Sequence, residues 1–208
     1  MTAAAFEGRV SLAIKSGKDR EQIIDYAMKD GIVRMEPKTA EGGPAMIMNV
    51  AKQEMIMLIP EQKMYMIMPL KRGATAAIAA PEEPEPKVEK TGELDTILGY
   101  VCERYVTSDK NGVTEMWITE ELGSFAGLGG GNLMGGQAKP AAPSAWERAL
   151  QGKAGAFPLR IVGRDTRGRE TFRLEARKID PTNLPASLFA PPADYQKFSM
   201  PAIGAFGG

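Results

Sequence analysis

A chain of 208 residues, 43 % hydrophobic and 25 % charged, is long enough for one well-buried domain and short for two. Lys+Arg and Asp+Glu both number 26, so there is none of the basic excess that nucleic-acid or anionic-membrane binders carry. With no histidine and a single cysteine, Cys102, the chain lacks imidazole acid–base catalysis, His or multi-Cys zinc sites and an internal disulfide.

No apolar run approaches the roughly 18–20 residues that cross a bilayer as a helix. The opening, MTAAAF, shows no basic region ahead of an apolar stretch, so no signal peptide is visible. The expectation is either a cytoplasmic protein or the mature form of an exported one.

Period-two patterning dominates the first half. Phe6, Val10, Leu12 and Ile14 fall on one face of the first predicted strand, with Glu7, Arg9, Ser11 and Lys15 on the other. IIDYAMK runs into Asp30-Gly31, a favoured hairpin turn because glycine accepts positive φ, and IVRME continues beyond it. AMIMNV, QEMIMLI and KMYMIM follow, completing a meander of about six strands.

Residues 71–93, rich in Ala, Pro, Glu and Lys, read as a solvated, extended connection between strands. Strands resume at TILGYVCERYV, with Leu98, Tyr100, Cys102 and Val106 on one face, then at VTEMWIT, FPLRIVG and ETFRLEARKI. Residues 123–143 form a glycine-rich insert, expected to be a mobile flap. SAWERALQG reads as a short helix, with Ser144 as N-cap, Glu147 completing a capping box and Gly152 as terminator. Residues 197–208 read as a flexible tail. The expected fold is mainly β, one domain over 1–208. It is a strongly curved antiparallel sheet or half-open barrel of about ten strands, with one or two short helices as a lid.

Few motifs suggest catalysis. No G-x-G-x-x-G register fits the glycines between Gly127 and Gly136, and Gly123-Ser124 is not a nucleophile elbow. Asp25, Glu36, Glu103, Glu115 and Glu175 share strand faces with Lys and Arg, as a solvated surface would; no spacing selects an acid–base pair. Cys102 on an apolar face, with no histidine to activate it, reads as an inert buried thiol.

The methionines carry more information. Met46 and Met48, Met55 and Met57, then Met64, Met66 and Met68 each share one face of a strand, and the opposite faces are also partly apolar. A strand apolar on both faces is covered on both sides. Coverage alone does not explain the choice of Met, because strands favour branched and aromatic residues. Three readings stay open: a filled core, the lining of an apolar lumen, and a soft-metal site, since thioethers suit Cu(I). Within one strand, i and i+2 are about 7 Å apart, too far to chelate one ion without a neighbouring strand.

The order of FEGRVSL, YAMKDGIVRME, TGELDTILGYVCERY, MWITEELG, GAFPLRI and LPASLFAPPADY resembles a family of exported bacterial proteins, the domain of unknown function 4412. That family is similar to the periplasmic lipoprotein carriers and receptors of outer-membrane sorting, of the LolA and LolB kind. The resemblance implies a half-open antiparallel barrel that grips acyl chains, a helical lid and a periplasmic location. It carries no site residue over to this chain.

The functional expectation is a non-catalytic periplasmic carrier or sensor, with no cofactor, that binds an acyl chain, lipid or lipoprotein. Its candidate lining is Met46, Met48, Met55, Met57, Met64, Met66 and Met68, helped by Trp117. The helix bearing Trp146 and the glycine-rich insert would form the gate. One alternative is a Met-rich Cu(I)-handling protein; another is a structural or interaction domain of the cell envelope. No nucleic acid and no transmembrane segment are expected, and an enzyme ranks last.

Overall fold

The structure, a computed structural model, describes residues 6–38, 43–69, 87–127, 145–150 and 155–198, with backbone alone at 145 and 147. Among the described residues, twelve strands form one sheet in the order β12-β6-β5-β4-β3-β2-β1-β11-β10-β9-β8-β7. The chain starts in the middle of this sheet at β1 (Gly8–Ser16). It then meanders outward through β2 (Gln22–Lys29), β3 (Ile32–Pro37), β4 (Ala45–Asn49), β5 (Glu54–Ile59) and β6 (Met64–Pro69). It restarts at the opposite edge with β7 (Lys87–Ile97) and returns through β8 (Tyr100–Asp109), β9 (Gly112–Thr119), β10 (Phe157–Asp165) and β11 (Glu170–Pro181), which pairs antiparallel with β1. Among the described strands only β12 (Gln196–Lys197) is parallel to its neighbour, β6. β7 and β12 lie at opposite edges of the strand order, so the sheet is open rather than a closed barrel.

Ring contacts show how far the sheet curls. Strands β2 and β10 are three strand spacings apart, about 14 Å in a flat sheet. Yet the rings of Tyr26 and Phe157 lie 5.5 Å apart, centroid to centroid. Side chains can converge this way only on a concave face. That face holds the main core: Val10, Leu12 and Ile14 of β1, Ile24 and Tyr26 of β2, Met116 of β9, Ile161 of β10 and Leu174 of β11 are all buried. The single α-helix among the described residues, α1 (Ala145–Leu150), adds Trp146, Ala149 and Leu150 to the same core.

The convex face differs between the halves. Over β2–β6 it carries an apolar patch beside Asp25, Lys29, Arg34 and Glu36, and the C-terminal arm covers that patch: Leu184 and Phe189 are buried with Ala27, Ala45, Ile47 and Leu58. Polar contacts hold the arm. Glu7 accepts from both the Lys29 ammonium, at 2.7 Å, and the Leu184 N–H; Lys29 also donates to the Leu184 carbonyl. Arg34 donates to the Leu188 carbonyl, and the Gln196 and Phe198 N–H groups donate to the carbonyls of Lys63 and Tyr65. Over β7–β11 the convex face is instead charged and solvated, with Glu115 between Arg104 (3.1 Å) and Arg164 (2.7 Å).

Two boundaries differ from the sequence reading. TILGYVCERYV is not one strand: Leu98 and Gly99 have φ of 52° and 88°, so a tight turn separates β7 from β8. Such a turn needs positive φ at both central residues, and only its glycine advertises that. The second difference is that strand begins at Lys87, inside the stretch read as a connection over 71–93, while 70–86 lie outside the described residues. The two additions, β7 and the short β12, bring about ten expected strands to twelve. Ser144, Gly152 and the Glu147 side chain lie outside the described residues, as do 128–143 of the glycine-rich insert and 199–208 of the tail.

Candidate functional site

Register aligns the methionines of separate strands. Directly opposite residues of an antiparallel pair share a face, and the pairings chain together into rows. One row runs Val10–Tyr26–Met35–Met46–Met57–Met66 from β1 to β6. Its neighbour runs Met28–Val33–Met48–Met55–Met68 from β2 to β6. Tyr26, Met35, Met46 and Met48 belong to the concave core, so both rows face inward. The alternate positions Ile47, Ile56 and Leu58 turn to the convex side, under the C-terminal arm.

Burial falls away along each row. Met35 and Met46 are 0 % and 2 % exposed and Met48 is 5 %, whereas Met55, Met57, Met66 and Met68 are half-buried. Met55 and Met57 still touch the concave core; Met64, Met66 and Met68 are not among the residues packed on either buried cluster. The sheet therefore carries a thioether surface that is solid core at β3–β4 and partly open at β5–β6.

The middle of the concave face is filled by five aromatic rings. Phe125 stacks on Tyr26 at 5.4 Å and meets Phe157 edge-on at 5.4 Å. Trp146 stacks on Phe172 at 5.5 Å and lies 6.4 Å from Phe125. The Tyr26 hydroxyl oxygen accepts from the Ala126 N–H at 2.7 Å, which ties the loop after β9 to the sheet. Burial pushes the Tyr26 phenol well above its ordinary pKa, so it stays neutral. Alternating period alone could not identify Tyr26 and Phe125 as the plug, because their contact joins residues far apart in sequence.

The expected site residues thus fall into three groups. Met46, Met48, Met55, Met57, Met66 and Met68 come together on one face, with Met64 further along β6 opposite Ile59. Trp146 joins the concave core but belongs to the plug, linked to the Met rows through Phe125 and Tyr26. Trp117 is not brought to the Met rows. It alternates with the buried Met116 and Ile118, and its neighbours in register are Arg104 and Arg160, although its ring touches the core edge.

Chemistry elsewhere is modest. Among the described residues no group of three or more His, Cys, Asp or Glu is placed to hold a metal. Cys102 is buried, and desolvation pushes its thiol up to about 11. Glu36, Glu115 and Glu175 are all paired with arginines. An open cleft of about 580 Å³ lies near the β7–β9 edge, lined in part by Leu94, Tyr105, Ile118 and Glu121. Its Lys90 and Glu103 already pair at 2.7 Å. No helix of the described residues is long and apolar enough to cross a membrane.

The site is thus an apolar concave face of an open, strongly curved sheet, half-buried at β5–β6. The chain belongs to the family Domain of unknown function (DUF4412), whose model matches residues 6–195. No curated protein matches it. Among solved structures it is similar to an uncharacterized conserved protein from Thermus thermophilus. The identity is 15 %, over 92 % of this chain and 90 % of that one, with a TM-score of 0.51. It is similar also to MucB of Pseudomonas aeruginosa, solved in complex with MucA(peri), at 9 % identity and a TM-score of 0.50. That match covers 94 % of this chain and 56 % of MucB. A LolA superfamily protein from Nitrosomonas europaea matches at 12 % identity over 91 % of each chain, with a TM-score of 0.34. At these identities the likeness to the first two is one of fold.

Proposed function

We propose that this protein is a non-catalytic periplasmic carrier or sensor that holds an apolar ligand, an acyl chain, lipid or lipoprotein, on the open end of its methionine rows. The observation that carries this reading is the burial gradient along Met46–Met57–Met66 and Met48–Met55–Met68. A continuous core surface runs out from under protein while it is still apolar. Each buried CH₂ of a ligand laid there would contribute about 0.8 kcal/mol, and flexible thioethers adapt to varied acyl shapes at low cost. The aromatic plug gives such a ligand a closed inner end.

The periplasmic setting is what the family resemblance implies. The complex of MucB with MucA(peri) offers a precedent in this fold for a protein partner. Native mass spectrometry of protein from a bacterial host, under gentle and then delipidating conditions, tests the reading. The expected result is a co-purifying lipid mass that delipidation removes and added fatty acid restores. A bare protein mass under gentle conditions, with no uptake of a fluorescent fatty acid, overturns it.

A further inference from the structure

Seven methionines in β4–β6 exceed what apolar coverage asks for, because Val or Ile would fill the same strand positions with better propensity. The register supplies what a single strand lacks. Met57 stands opposite both Met46 and Met66, and Met55 opposite both Met48 and Met68. Opposite Cβ atoms in an antiparallel pair are about 5 Å apart, and same-face neighbours along a strand about 7 Å. A rectangle with those sides has a half-diagonal of roughly 4 Å, so its centre lies within reach of four flexible thioethers. Met55, Met57, Met66 and Met68 form that rectangle on β5 and β6.

These four differ from their neighbours on β4. Met46 and Met48 are locked in the core, whereas the β5–β6 block is half-buried, open to an ion yet shielded from bulk water. Its donors are neutral, polarizable sulfurs. Such donors discriminate against Mg²⁺, Ca²⁺ and Zn²⁺, which take oxygen, imidazole or thiolate ligands, and favour a soft monovalent ion.

We propose that Met55, Met57, Met66 and Met68 form a binding site for Cu(I), coordinated by thioethers alone. The site shares its face with the apolar ligand surface but not its chemistry, so either can fail without the other.

The test uses the full chain under anaerobic conditions. Cu(I) is titrated against a chromophoric competitor such as bicinchoninate, and the loaded protein is examined by copper X-ray absorption. The expected result is one Cu(I) per chain in a sulfur-only shell. Met57→Leu with Met66→Leu should weaken binding by roughly 10- to 100-fold or more, the scale on which perturbing a metal's surroundings acts. Met55→Leu with Met68→Leu should do the same, while Met28→Leu and Cys102→Ser leave affinity unchanged. Leucine keeps volume and apolarity, so both double variants should fold, which wild-type-like melting curves check. Failure of the wild-type protein to take up a fluorescent fatty acid would sink the apolar reading and leave the copper site standing. No Cu(I) held against the competitor overturns the site. So does equal affinity in both folded double variants, a nitrogen or oxygen shell, or loss of copper in Cys102→Ser alone.

Discussion

Replacing Tyr26 by phenylalanine isolates the bond that fastens the plug to the sheet. Tyr26 is fully buried, and its ring packs on Phe125 at 5.4 Å and Phe157 at 5.5 Å. A phenylalanine keeps both contacts. What disappears is the hydroxyl oxygen that accepts from the Ala126 N–H at 2.7 Å. A net hydrogen bond is worth about 0.5–1.5 kcal/mol, and stranding a donor costs about 1–3. Water can reach the partly buried Ala126 side of this bond, so the lower half of that range applies and a loss of about 1–2 kcal/mol is expected. For a chain of this size that corresponds to a fall in Tm of roughly 2–8 °C. Amide exchange at Ala126 should quicken more than exchange in β1 or β10, because the loop loosens before the sheet does. Uptake of an acyl probe should also accelerate, since Phe125 rides on the same loop. An unchanged Tm together with wild-type exchange at Ala126 would show that Tyr26 does not anchor the loop.

Met57→Asp should cost more stability than Met66→Asp. Met57 touches the concave core and Met66 does not, and an unpaired carboxylate there must be desolvated or protonated at a cost of several kcal/mol. Urea midpoints that fall in the reverse order would contradict the burial gradient. Leu98→Asn should stabilise the protein by about 0.5–1 kcal/mol, because Leu98 is half exposed at a φ of 52°, where a leucine is strained and asparagine is tolerated; chemical denaturation showing a loss would indicate that Leu98 makes contacts worth more than the strain. Glu7→Gln should flatten the acid limb of the stability profile. The Lys29 ammonium, then the Leu184 N–H, hold the Glu7 carboxyl below its ordinary pKa. Its contribution is therefore present above the unfolded value, near 4.3–4.5, and is lost as pH falls through the depressed folded one. Parallel melting curves of wild type and variant from pH 6 to pH 3 would refute that role.

Local chemistry made much of this protein legible in advance. Alternation along Val10, Leu12 and Ile14, the Asp30-Gly31 turn and the paired faces of the methionine strands follow from periods and dihedral preferences that act over a few residues. The missing histidines restrict the chemistry whatever the fold. Tertiary structure alone decided which strands became neighbours and which face became concave. Nothing local tells β1 to pair with β11, or Met57 to stand between Met46 and Met66. Trp117 illustrates the limit: its alternation was readable, but only the curl of the sheet decides that Met116 and Ile118 face the core and Trp117 turns toward Arg104 and Arg160. The convex cover under Leu184 and Phe189 was equally hidden, because that arm folds by contacts with residues far back along the chain, through Glu7, Lys29 and Arg34. Alternation states which side chains share a face of one strand; register, twist and burial, which are non-local, state what that face meets.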